Sequence, residues 1–238
     1  RTTVGMVRLS GDRAVAVAER IFKATNGKKV MSQKNFTARY GHVVDDSGKT
    51  VDEALLLIMR GPKSYTGEDV AEVSVHGGQA VLQRVIHLAL SAGARLAEPG
   101  EFTKRAFLSG RIDLLQAEAV LDLIRAKTDR SLDWASAQLE GALSKKIMFW
   151  KEELVRIASR LEASIDFPED LLETGSPTQM RGLLDELSAD IRRTLKGSEP
   201  AFIAKRGFKI VLWGKPNVGK SSLLNCLTRI DRAIAGRA

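Results

Sequence analysis

Hydrophobic and polar positions alternate, cluster or recur at helical spacing in a sequence that changes character twice along the chain. Val4 to Leu9 reads as a strand ending at Ser10-Gly11, and Ala14, Val17, Ala18, Ile21 and Phe22 then recur at helical spacing as far as Asn26-Gly27. Tyr40 to Val44 and Val51 to Met59 flank Asp45-Asp46-Ser47-Gly48 and predict a β-hairpin with a longer loop. Beyond the Gly61-Pro62 break, Ala71, Val73 and Val75 alternate with Glu72, Ser74 and His76. A period of two puts Glu72, Ser74 and His76 on one strand face. Gly77-Gly78 opens a helix over Val81, Leu82, Val85, Leu88 and Ala89, which Gly93 is placed to end. A short strand over Ala94–Ala97, the turn Pro99-Gly100 and a brief helix from Glu101 to Ser109 complete an α+β segment of about 110 residues.

The pattern changes at Asp113, where Asp113 with Gln116 forms a helix-capping signature. No proline follows until Pro168, and Leu143, Ile147, Trp150, Leu154, Ile157 and Leu161 give an apolar seam for helix packing. Trp150 is read as core. Pro168 stops the run and Glu169-Asp170 begins a loop. Ser176-Pro177-Thr178-Gln179 starts a further helix whose stripe runs from Met180 to Leu195, and Gly197-Ser198-Glu199-Pro200 is expected to end it.

The second change is chemical. Gly214-Lys215-Pro216-Asn217-Val218-Gly219-Lys220-Ser221 satisfies G-x-x-x-x-G-K-[ST], the phosphate loop of nucleotide-binding proteins. The apolar run Phe208 to Trp213 predicts a buried parallel strand before it, and Ser222 to Leu227 the opening turns of a helix after it. Glycines allow backbone N–H groups to turn toward phosphates, and the helix N-terminus adds partial positive charge. Lys220 would reach the β- and γ-phosphates, and the Ser221 hydroxyl would ligate Mg²⁺. The competing reading is a Gly/Pro turn between a strand and a helix.

Net charge is +8, but residues 1–200 hold 29 Lys+Arg against 28 Asp+Glu, and residues 201–238 hold 8 against 1. The basicity therefore belongs to the phosphate-loop segment and does not by itself indicate RNA binding. No apolar run approaches the roughly 18 residues of a membrane span, and no signal peptide precedes the first strand. The one cysteine, Cys226, excludes an internal disulfide, fits a cytoplasmic location, and is expected to be a buried structural thiol where a helix packs on a sheet. Arg8 is either a solvated edge arginine or an anion clamp. Glu72, Ser74 and His76 could be catalytic, a ligand wall or a polar patch.

Several stretches together carry a resemblance. They are Val7-Arg8-Leu9-Ser10-Gly11, Ser64 to Val70, His76-Gly77-Gly78, Glu98 to Leu108, Asp113-Leu114 with Gln116 to Ala119, Asp166-Phe167-Pro168, and Gly214 to Asn225. In this order they resemble the MnmE (TrmE) family of tRNA uridine-modification GTPases over essentially the whole chain. The resemblance implies a folate-binding dimerisation domain like the glycine-cleavage T-protein (residues 1–112), the N-terminal part of a helical domain (113–204) and the beginning of a P-loop GTPase domain (205–238). It implies GTP, Mg²⁺, K⁺ and 5-formyl- or 5,10-methylene-tetrahydrofolate as cofactors. The implied partners are a second subunit through the N-terminal domain, the flavoprotein MnmG (GidA) and tRNA, with no membrane. The implied reaction adds a carboxymethylaminomethyl-type group to carbon 5 of the wobble uridine, U34.

Residue by residue, Arg8, Glu72 and Arg111 match the family's folate contacts; the last is usually Lys, so charge is kept and geometry changes. A pterin ring offers donors to Glu72, and a glutamate tail offers carboxylates to Arg8 or Arg111. Asn217, Val218, Gly219, Lys220, Ser221 and Ser222 match the nucleotide site, with Lys220 catalytic, Ser221 on Mg²⁺ and Asn217 on K⁺. The Gly-Thr-Thr, D-x-x-G and N-K-x-D elements with which the family's GTPase domain continues do not follow the phosphate loop here, its C-terminal helices and Cys-containing tail are also missing, and Ile234 to Ala238 fits the family poorly. These residues are therefore expected to be part of a longer protein. Two rivals remain: a folate-binding dimerisation module with an incomplete nucleotide site, and a P-loop ATPase with a helical adaptor.

Overall fold

Five strands form one antiparallel sheet in the order β1-β5-β4-β3-β2, in a computed structural model that describes residues 3–166, 176–206 and 210–228. The strands are β1 (Val4–Ser10), β2 (Phe22–Ala24), β3 (Thr37–Val44), β4 (Thr50–Met59) and β5 (Val70–His76). Alternation decides which face is covered. Leu56, Ile58, Ala71, Val73 and Val75 point to the core, where they meet Val17, Ala18 and Ile21 of α1 (Ala14–Ile21) and Val85, Leu88 and Ala89 of α2 (Gln79–Ser91). The other face carries Arg8, Glu72, Ser74 and His76. The β3–β4 hairpin closes on Asp45, whose Oδ1 accepts from the backbone N–H groups of Ser47 and Lys49, both at 3.0 Å.

Two short elements differ from the sequence expectation. Helix α1 ends at Ile21, not near Asn26, and Phe22–Ala24 becomes β2, paired with Val43, His42 and Gly41. Phe22 continues the helical spacing yet is buried by joining the sheet edge. Ala94–Ala97 is irregular rather than a strand. It has no pairing strand, and Arg95 instead bonds Glu101 at the start of α3 (Glu101–Leu108).

Three helices follow: α4 (Leu114–Arg125), α5 (Asp129–Leu139) and α6 (Ala142–Asp166). The expected box at Asp113 forms, with Gln116 N–H donating to Asp113 Oδ1 and Asp113 N–H donating to Gln116 Oε1, each at 2.9 Å. A second box, Thr128 with Ser131, starts α5, and Gly141 at φ 81° turns the chain into α6. The apolar seam on α6 is only partly covered: Ile157 is buried, whereas Ile147, Leu154 and Leu161 are exposed. The Ser176 capping box also forms, and α7 (Pro177–Arg206) follows it. This helix does not end at Gly197–Pro200 but runs on to Arg206 with both residues inside it. The chain falls into two compact units, Arg1–Arg181 and Gly182–Ala238.

The last helix among the described residues is α8 (Lys220–Thr228). Residues 210–213 form no strand and are largely exposed, Trp213 at 95%. A parallel strand needs neighbours, and the described residues supply none beside it. For the same reason Cys226 is exposed rather than buried. The Phe167-Pro168 stop, the Glu169-Asp170 loop, Phe208-Lys209 and the segment from 229 onward lie outside the described residues. Among the described residues, no helix is long and apolar enough to cross a membrane.

Candidate functional site

On the sheet face opposite the α1–α2 core, Arg8 of β1 stands opposite Glu72 of β5 in register, and its Nε–H donates to Glu72 Oε1 at 2.6 Å. The Glu72 side chain is only 11% exposed, so its charge needs a partner at that depth. Arg8 supplies it from β1, an edge strand, so this partly exposed arginine is paired there rather than free. Arg8, Glu72 and Arg111 line one cavity of about 420 Å³, walled by Phe36, Met59 and Tyr65 and rimmed by Lys63. All three predicted residues of the front half therefore converge.

Tyr65 organises the two arginines. The Arg8 Cζ lies 5.6 Å and the Arg111 Cζ 5.2 Å from its ring centroid, and Arg111 Nη1 donates to the Tyr65 carbonyl at 3.0 Å. Its hydroxyl meets Thr103 Oγ1 at 3.1 Å. Sequence reasoning passed over Tyr65 and Lys63. The available signal was their place in the polar loop that leads into the Glu72 strand.

That loop is clamped. Thr66 is fully buried with its hydroxyl 2.6 Å from Ser10 Oγ, and Ser10 Oγ donates to Glu68 Oε2 at 2.9 Å. Arg105 Nη1 donates to the same Glu68 oxygen at 2.7 Å, while its Nη2 reaches Glu101. Arg95, the Glu98 N–H and Arg105 together hold the Glu101 carboxyl far below the usual carboxylate range. Gly67, at φ 80°, lies so close to Ser109 that a Cβ there would sit 2.9 Å from its side chain. A larger groove, about 590 Å³, runs past Arg8 and Phe102 along β1 and the irregular segment Gly93–Ala97; Glu72 and Arg111 are not part of it.

His76 ends β5 apart from this cavity. Its Nδ1 lies 2.8 Å from Asp52 Oδ1, and its backbone N–H donates to Asp52 Oδ2 at 2.8 Å. Hydrogen bonding and the charge of Asp52 raise the imidazole pKa above 6.5. Burial pushes Asp52 up, but the His76 backbone and ring outweigh it, so its pKa falls below 3.8. The His76 contribution to stability is complete below about pH 6.5 and is lost as pH rises through the raised value. The Asp52 contribution is present above about 3.8 and is lost as pH falls through the lowered value. Asp52→Asn is expected to return the His76 pKa toward 6.5 in an NMR titration of the ring; an unchanged midpoint would contradict the pairing.

In the second unit the phosphate-loop sequence forms a turn that opens directly into α8. Asn217 at φ 60° and Gly219 at φ 87° occupy the left-handed region, and Lys220 is the first residue of the helix. Leu223 N–H donates to the Gly219 carbonyl at 2.9 Å, and Lys220 Nζ curls back to the Lys215 carbonyl. Ser221 is half-buried on the first turn, with Val218 and Ser222 exposed. The described residues bring no three His, Cys, Asp or Glu side chains together as a metal site. Ser221 and Asn217 would thus offer a hydroxyl and an amide oxygen, which suit hard cations that also take phosphate oxygens.

Comparison with known proteins covers both parts. Residues 1–111 match the family model "GTP-binding protein TrmE N-terminus", and residues 114–234 match "MnmE helical domain". The chain is 52% identical over 231 residues to the tRNA modification GTPase MnmE of Symbiobacterium thermophilum, covering 97% of this chain and 50% of that protein. It is 47% identical over 233 residues to the Geobacillus kaustophilus protein of the same name, and 48% over 231 residues to that of Clostridioides difficile, with the same coverage. The chain thus spans about half the length of the curated relatives it matches. On the matches of both models, and with its clamped Arg8–Glu72 cavity and phosphate-loop turn in place, the chain belongs to the MnmE (TrmE) family.

Proposed function

We propose that this chain is the N-terminal part of a GTPase that acts in tRNA modification, with residues 1–112 holding a reduced folate and residues 205–238 beginning the nucleotide domain. The helical segment 113–204 lies between them in sequence. The observation that carries the nucleotide reading is the turn at 217–219, left-handed at Asn217 and Gly219 and followed at once by Lys220 on a helix N-terminus. Backbone N–H groups at such a turn suit anionic oxygens. Lys220 neutralises phosphate charge, the Ser221 hydroxyl ligates Mg²⁺, the Asn217 amide oxygen ligates K⁺, and Val218, Gly219 and Ser222 complete the cradle. Bound Mg²⁺ and K⁺ would supply positive charge against the phosphates as negative charge builds on them. The choice of guanine over adenine rests on the names of the relatives.

In the same reading, Arg8, Glu72 and Arg111 hold 5-formyl- or 5,10-methylene-tetrahydrofolate, the domain forms a homodimer, and the flavoprotein MnmG joins in adding the carboxymethylaminomethyl-type group to U34 in the cytoplasm. The cavity supports the folate assignment because it pairs a carboxylate acceptor with guanidinium donors at one place. A second reading, a folate module whose nucleotide site is incomplete, is favoured by the exposed, unpaired residues 210–213.

The test is GTP hydrolysis by the full-length protein in K⁺ against Na⁺. Faster turnover in K⁺ is expected, and the difference should vanish in Asn217→Gly, which keeps the left-handed backbone and deletes the amide. Equal turnover in the two salts would remove the Asn217 assignment, and failure to bind any nucleotide would favour the second reading.

A further inference from the structure

We infer that Lys63 is a further contact for the anionic end of the ligand, beside Arg111 at the mouth of the cavity; the inference rests on the folate reading above, which already gives the ring to Glu72. The cavity holds three cations, Arg8, Lys63 and Arg111, and one anion, Glu72. Arg8 is committed to Glu72 at 2.6 Å, so that pair is neutral as a whole. Two positive charges are left. Arg111 bonds the neutral Tyr65 carbonyl, and Lys63 has no carboxylate partner among the described residues. A site with two uncompensated cations selects a ligand with two negative charges.

Depth orients that ligand. The Glu72 side chain is 11% exposed and that of Arg8 37%, whereas Lys63 and Arg111 are both exposed residues. Only Nε of Arg8 is used by Glu72, which leaves its Nη groups as donors and the second Glu72 oxygen as an acceptor. Donor and acceptor side by side at the base match the amide-like edge of a 2-amino-4-oxo heterocycle. The charged end then stays at the mouth, where carboxylates keep most of their hydration. A lysine suits that place, because its ammonium is a strongly hydrated point charge on a flexible stem. Lys63 is delivered there by the turn after β4, in which Ser64 N–H donates to the Pro62 carbonyl at 3.0 Å. The tail of a folate carries two carboxylates on one glutamate, one for each free cation.

The experiment is calorimetric titration of the full-length protein and its Lys63→Gln and Lys63→Arg variants with two probes. One is 5-formyltetrahydrofolate, and the other its pteroate analogue, which lacks the glutamate. Lys63→Gln is expected to weaken the glutamate-bearing probe about tenfold and the pteroate less than about twofold, with Lys63→Arg within about threefold of the parent for both. Equal weakening of both probes, or of neither, overturns the role of Lys63 while leaving folate binding in place. A parent chain that binds neither probe removes the folate reading itself, and this inference with it.

Discussion

Lys220→Ala is expected to abolish GTP hydrolysis by the full-length protein, with turnover down by at least about 100-fold, the scale for removing one group that stabilises developing negative charge. The fold should survive the change. Lys220 begins α8, alanine is a better helix former than lysine, and among the described residues the side-chain bond lost is the exposed one to the Lys215 carbonyl. Far-UV circular dichroism and melting temperature should therefore match the parent. Lys220→Arg keeps the charge in a larger planar fork and should retain only part of the activity. Parent-like turnover in Lys220→Ala would mean that hydrolysis occurs elsewhere.

Gly41→Ala is expected to cost about 2–3 kcal/mol of stability, as overpacking in a well-filled core does. A Cβ at Gly41 would lie 2.2 Å from the Lys23 carbonyl oxygen, 2.5 Å from Phe22 Cζ and 2.9 Å from Ala24 Cα. Two of these neighbours are backbone atoms of β2 and cannot turn aside. The cheaper escape is detachment of β2, which exposes Phe22, now 2% exposed, at about 1.5–3 kcal/mol. Thermal melting should fall by several degrees. Gly5→Ala is the control: the atoms its Cβ would meet all belong to the movable Leu82 side chain, so its loss should be smaller. Equal melting of Gly41→Ala and the parent would contradict the β2–β3 register.

Much of the sheet was legible because alternation is a local signal: Val70–His76 sorts its side chains onto two faces without reference to any other strand, although both faces are buried at its start, Val70 and Glu72 included. What alternation does not carry is order. Arg8 and Glu72 were each placed on a strand, but their meeting depends on β1 pairing with β5 across 64 residues of chain. The three residues of β2 are too few to show a period, and Phe22 fits the preceding helical spacing equally well. Ala94–Ala97 shows the reverse failure, an apolar stretch after a helix stop with no strand beside it. In the helical part, the boundary at Thr128 was written in a capping box with Ser131 in place of the usual Glu or Gln. Gly197 and Pro200 were read as a stop, although α7 continues through both to Arg206. Tyr65 and Lys63 became visible only once the loop was seen to fold back over the Arg8–Glu72 pair.

The bonds from Thr66 to Ser10 and from Glu68 to Ser10 and Arg105 hold the loop in shape before anything arrives. Because the loop is already ordered, binding costs it little further freedom, so encounter should proceed at similar speed for tight and weak binders. Discrimination among them would then show as residence time, and loosening the latch with Glu68→Gln would slow arrival as well as hasten departure.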